Sequence, residues 1–147
     1  MDSIIGPVPG YTTDFYDDGV ITYKAPREMR EVFKRLTDDL GIETKRVKRK
    51  VDAEILCSWG ARNFACNEYR EDVTRRGNNQ GRIELIKRQN RKQQRIIKHV
   101  GYALGLVTPV ETHEDWRRTD TAMAVSPNYQ GNWYSELDQS ALVSLYG

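Results

Sequence analysis

The chain is expected to fold as an α/β protein of the α+β kind, with several strands, two main helices and a short C-terminal helix. Three observations lead there. Val20-Ile21-Thr22-Tyr23-Lys24 is a short run of β-branched and aromatic residues with the composition of a strand. Met29, Val32, Phe33, Leu36 and Leu40 recur at helical spacing and make one apolar face. A second face of Ile96, Ile97, Val100, Ala103 and Leu104 ends at Gly105, a residue suited to stopping a helix.

In chain order, residues 1–18 are rich in Gly, Pro, Thr and Asp and read as an irregular arm ahead of a single domain over 19–147. After the strand at 20–24, Pro26 sits where a helix starts, because its missing N–H is not needed in a first turn. Gly41 stops that helix. Lys45 to Val51 is a candidate second strand that alternates weakly and is heavily basic. Ala53-Glu54-Ile55-Leu56-Cys57-Ser58-Trp59 is more apolar and reads as a central strand, ended by Gly60. Phe64 to Tyr69 reads as a further strand at an edge. The turn residues of Arg75 to Gly81 mark a loop, and Arg82 to Lys87 alternates as another strand. The long helix is expected from about Gln89 to Leu104. A loop then runs through Pro109, His113 and Trp116 to Pro127. Ser135 and Asp138 have the spacing of a capping box at the start of the last helix, with Asp in place of Glu or Gln. Ala141, Leu142 and Leu145 supply its apolar face.

At 147 residues the chain is long enough for one domain with a real core. Charged residues make up 30% of it, yet the net charge is only +2, which argues against a dedicated nucleic-acid binder. A hydrophobic fraction of 38% and a mean hydropathy of −0.73 come without any run long enough to cross a bilayer, so no membrane partner is expected. Met1-Asp2-Ser3-Ile4-Ile5-Gly6-Pro7 lacks the basic and apolar regions of a secretory signal, which points to synthesis in the cytoplasm. In that setting Cys57 and Cys66 are expected as free thiols, with a disulfide across a hairpin as the alternative their spacing allows. Their spacing is not that of a zinc knuckle, and His99 and His113 are distant in sequence. Lys87, Arg88, Arg91, Lys92 and Arg95 mark a basic helix face, read first as solvated and second as a contact for an acidic partner.

Ile96-Ile97-Lys98-His99-Val100-Gly101-Tyr102-Ala103-Leu104-Gly105-Leu106 resembles the zinc helix of a metzincin metalloprotease, H-E-x-x-H-x-x-G-x-x-H, with its chemistry removed. Other stretches are similar to the matrixin branch of that superfamily. Asp52-Ala53-Glu54-Ile55 looks like its "ADI" strand, and Gly81-Arg82-Ile83-Glu84 like its last strand. Thr121-Ala122-Met123 looks like its Met-turn, and the terminal Leu145-Tyr146-Gly147 like the end of its C-terminal helix. The resemblance implies a twisted mixed sheet of about four to five strands, as in the zincin fold, with a cleft along an edge strand that holds extended peptides. On the zinc frame, the ligand positions carry Lys98, Tyr102 and Thr108, and the general-base position carries His99. A lysine is a cation and a tyrosine phenol titrates near pH 10, so neither suits zinc at neutral pH. Met123 becomes a core residue rather than the floor of a metal site.

The expectation is therefore a catalytically inactive, metzincin-like domain with no catalytic residue, no cofactor and no metal. It would serve as a structural or protein-interaction module, with a protein partner or self-assembly, in a larger assembly such as a virion or phage tail. Two alternatives are a metal-dependent peptidase rebuilt on His99 and His113 with Glu111, Glu114 or Asp115, and a basic-face module that contacts nucleic acid.

Overall fold

In a computed structural model of the chain, the residues described are 19–69, 79–106, 121–123 and 129–146. They form an α+β fold: a five-stranded mixed sheet with three α-helices. The strands are β1 (Ile21–Lys24), β2 (Thr44–Arg46), β3 (Ile55–Trp59), β4 (Phe64–Tyr69) and β5 (Asn79–Leu85), in the order β2-β1-β3-β5-β4. The first four in that order run parallel, and β4 pairs antiparallel with β5 as an edge. β3 is central, and its Ile55, Leu56 and Cys57 are buried, as a strand covered on both faces requires.

Pro26 opens a single 3-10 turn (Arg27–Met29) that leads into α1 (Arg30–Leu40). Met29, Val32, Phe33 and Leu36 are buried on one helical stripe, and the Phe33 ring stacks on Tyr23 of β1 at 4.0 Å. Gly41 ends the helix in the left-handed region at φ 70°, and its N–H donates to the Thr37 carbonyl. A helix from Lys92 to Leu104, α2, packs on β4 and β5. It ends in a Schellman arrangement: Gly105 adopts φ 105°, its N–H donates to Tyr102, and the Leu106 N–H donates to Gly101. The last helix, α3, spans Glu136–Tyr146 and starts on the expected capping box. The Ser135 N–H donates to Asp138 Oδ2 at 3.1 Å, and the Asp138 N–H donates to Ser135 Oγ at 3.2 Å.

Several boundaries differ from the sequence expectation, among them the start of β1 at Ile21 rather than Val20 and of β3 at Ile55 rather than Ala53. The strand expected over Lys45 to Val51 is only Thr44–Arg46. Arg49 grips Asp52 with two hydrogen bonds of 2.9 and 3.1 Å and closes a 3-10 turn, which swings the chain back toward β3. Asn79, Gln80 and Gly81, expected in a loop, belong to β5, where they pair with Tyr69, Glu68 and Asn67. β5 stops at Leu85 rather than Lys87, because the Ile86 N–H turns to Asn63 Oδ1. The long helix starts at Lys92, not near Gln89, since Arg91 adopts φ 59° and α2 begins after it. The expected arm over 1–18, the loop residues 75–78, and the segment with Pro109, His113, Trp116 and Pro127 lie outside the described residues. Cys57 and Cys66 are both free of any disulfide, and burial pushes the Cys57 thiol well above its usual range.

Candidate functional site

The stretch that resembles a zinc helix in sequence, from Ile96 onward, is the second half of α2. Its inner face, Ile96, Ile97, Val100, Gly101, Ala103 and Leu104, is buried in the core. Gly101 faces Met123 so closely that an added Cβ would lie 2.7 Å from the methionine Sδ. Met123 itself is fully buried, so the turn at Ala122 and Met123 is packed directly against this helix.

That turn is held by Asp138, a fully buried carboxylate. Its Oδ1 accepts the Thr121 hydroxyl at 2.5 Å, and its Oδ2 accepts the Ala122 N–H at 2.7 Å as well as the N-cap bond from Ser135. The Met123 N–H then donates to Thr121 Oγ1 at 3.1 Å. The capping box was legible in the sequence; the second task of Asp138 was not, because no spacing rule connects positions 121 and 138. Two tyrosines complete the support. Tyr134 donates its hydroxyl to the Ile97 carbonyl at 2.6 Å, and Tyr146 donates to the Leu104 carbonyl at the C-terminal end of α2.

The positions that would carry chemistry lie on the less buried side of the helix. Lys98 is partly buried, and desolvation lowers the pKa of its ammonium. His99 is also partly buried. Its Nδ1–H donates to the Arg95 carbonyl one turn earlier at 2.8 Å, which leaves Nε2 as the one nitrogen with a lone pair. Its pKa is lowered, first by burial; the Arg95 carbonyl opposes this, and the charges of Lys98 and Arg95 add to it. The Tyr102 ring meets the His99 ring edge to face at 5.6 Å. The donors on this helix are thus a cation, one imidazole nitrogen and a phenol, a set that does not fit a tetrahedral zinc site. Among the described residues no group of three or more His, Cys, Asp and Glu converges. Thr108, Glu111, His113, Glu114 and Asp115 lie outside the described residues.

The basic residues at the start of α2 are largely engaged within the chain. The Arg95 guanidinium donates to the carbonyls of Ile86, Gln89 and Asn90, at 2.8, 2.8 and 2.9 Å, and ties the β5–α2 connection to the helix. Arg91 donates to the Tyr129 carbonyl at 2.8 Å. Lys87 and Lys92 both reach the Glu28 carboxylate, at 3.7 and 2.9 Å, above the Trp59 ring. The Lys92 hydrogen bond is the main cause that holds the Glu28 carboxyl below its usual range. Arg88 is exposed. Among these five residues, the geometry leaves little of a continuous open cationic stripe.

Sequence reasoning missed the carboxylate of Glu84. Its Oε2 accepts the Ala61 N–H at 2.7 Å and the Arg62 N–H at 3.3 Å, and an added Cβ on Gly60 would lie 2.0 Å from it. Gly60 was visible as a strand stop, but the carboxylate that needs the missing side chain comes from a different strand. The chain matches no protein-family model and no curated protein.

Proposed function

We propose that the chain is a catalytically inactive, metzincin-like domain that acts as a structural or protein-interaction module. The observation that carries this reading is the contrast along α2. The contacts that give the helix its place are present: Gly101 against Met123, the Gly105 stop, and Tyr146 on the Leu104 carbonyl. The side chains at the ligand and base positions, Lys98, His99 and Tyr102, are unsuited to hold zinc or to activate water through it. A helix that keeps its packing face while its chemical face carries a desolvated lysine is suited to shape rather than turnover. β4 is an antiparallel edge strand, the kind of element along which a peptide adds as a further strand. Placement of the domain in a larger particle, such as a virion or phage tail, is part of the same proposal.

Elemental analysis of purified protein, paired with a peptide-cleavage assay, tests it. The expected result is substoichiometric zinc and no cleavage above background, with or without added zinc. One equivalent of bound zinc, together with cleavage that a chelator abolishes and His99→Ala or His113→Ala removes, would replace this reading with a rebuilt peptidase site.

A further inference from the structure

At the edge opposite β4, a surface groove of about 530 Å³ opens between α1 and β2. Its cationic lining is Arg27, Arg30, Lys34 and Arg46, with Tyr23 and Thr44 beside them. Two carboxylates, Glu31 and Asp38, also line it, and Asp38 is paired with Lys34 at 3.1 Å. Arg27, Arg30 and Arg46 have no described carboxylate within ion-pair distance. The wall is therefore cationic in excess by two charges, from four basic against two acidic residues.

The main chain supplies a second observation. Ile21 donates its N–H to the Glu43 carbonyl, and Val47 donates to the Tyr23 carbonyl. With Ile21 opposite Thr44 and Tyr23 opposite Arg46 in a parallel ladder, it is residues 43, 45 and 47 that bond to β1. The N–H and C=O of Thr44 and Arg46 point the other way, out of the sheet, and among the described residues no backbone bond reaches them. The Thr44 hydroxyl donates to the Phe33 carbonyl of α1, so its side chain and that of Arg46, two residues on, share the face that α1 covers. Open backbone and cationic side chains thus meet along one line. Tyr23, 8% exposed, sits at the base of the groove, with Arg30 and Arg46 close enough to act on its hydroxyl through their charge.

We propose that this groove docks an extended acidic segment of a partner protein, which adds as a strand to the outer edge of β2 and places its carboxylates against Arg30 and Arg46. The partner's chemistry follows from charge. A second copy of the same edge would bring Lys45, Arg46 and Lys48 against their own kind, and like charge at an edge disfavours self-pairing. The proposal extends the interaction-module reading by naming a partner class. Its site is remote from Lys98, His99 and Tyr102 along the sheet, so a zinc result bears on that reading and leaves this one to its own test.

The test titrates the full chain into a fluorescein-labelled extended peptide that alternates valine with aspartate and glutamate, with the Asn/Gln version as control. The expected results are saturable binding of the acidic peptide, loss of about tenfold or more in Arg30→Glu/Arg46→Glu, and weakening as salt rises. Amide hydrogen exchange on the unmodified chain gives an independent readout: peptide should protect Thr44 and Arg46. Equal binding of the two peptides would overturn the proposal. So would binding without protection of Thr44 and Arg46, or full competition by inorganic phosphate, which would indicate a small-anion site. Binding seen only after removal of residues 1–18, which carry Asp2, Asp14, Asp17 and Asp18 and no Lys or Arg, would assign the groove to the chain's own arm and likewise overturn it.

Discussion

A methyl group at Gly101 would press on Met123, and that contact sets the sign of a substitution there. Replacing a helical glycine by alanine ordinarily gains about 1 kcal/mol. Overpacking a close core contact costs about 1–3 kcal/mol. Gly101→Ala is therefore expected to lower stability by about 1 kcal/mol in urea denaturation. In a Met123→Ala background the same change should turn neutral or stabilising; equal effects in both backgrounds would break the link between the two residues. Asp138 makes a sharper case. Ser135→Ala should cost about 1 kcal/mol, as for a lost N-cap. Asp138→Ala should cost about 3 kcal/mol, because the Thr121 hydroxyl and the Ala122 N–H are also stranded in the core. Similar losses for the two variants would show that Asp138 is only a cap. His99 gives a pH signature. Its folded pKa lies below the ordinary 6.5, so the unfolded chain takes up a proton first and stability falls as pH drops below 6.5. Urea melts across that window should show a smaller fall in His99→Gln than in the parent chain; an unchanged slope would remove His99 as the source.

The strands and helices were legible where periodicity and punctuation agree. α1 carries its apolar stripe from Met29 to Leu36 and stops at Gly41, and β3 reads as a buried run ended by Gly60. Boundaries were not legible where a side chain from elsewhere decides them. β2 is cut short by the Arg49–Asp52 pair, and α2 begins only after Arg91, whose backbone lies in the left-handed region, while Arg95 holds the preceding connection by its carbonyls. The Arg95 fork makes a prediction for the whole connection. Arg95→Lys keeps the charge but cannot span three carbonyls, so it should destabilise nearly as much as Arg95→Ala, by about 2 kcal/mol, with faster amide exchange over residues 86–90. Lysine restoring full protection would mean that charge alone, and not the planar fork, closes the loop.

For the whole molecule, the α+β class followed from the alternation of strand and helix patterns, while the strand order did not. Nothing local tells β5 to enter between β3 and β4, since that choice rests on long-range pairing of Ile83 with both Cys57 and Ala65. The candidate site divides the same way. Its chemical residues were named from one short stretch, but its support comes from Tyr134, Asp138 and Tyr146, far along the chain. If the domain is held together by packing alone, a chelator should leave its melting temperature unchanged; a drop on adding chelator would point to a bound metal that stabilises the native state. The position of β5 also bears on how the sheet can be assembled. Among the described strands, the β4 segment precedes its sole neighbour in the sequence, and β3 awaits the same neighbour on its other side. The sheet is completed by insertion rather than by growth at its rim, so any delay in β5 leaves two strand edges exposed at once. Substitutions that slow docking of Asn79–Leu85 would therefore favour aggregation during refolding even where they leave the finished protein equally stable.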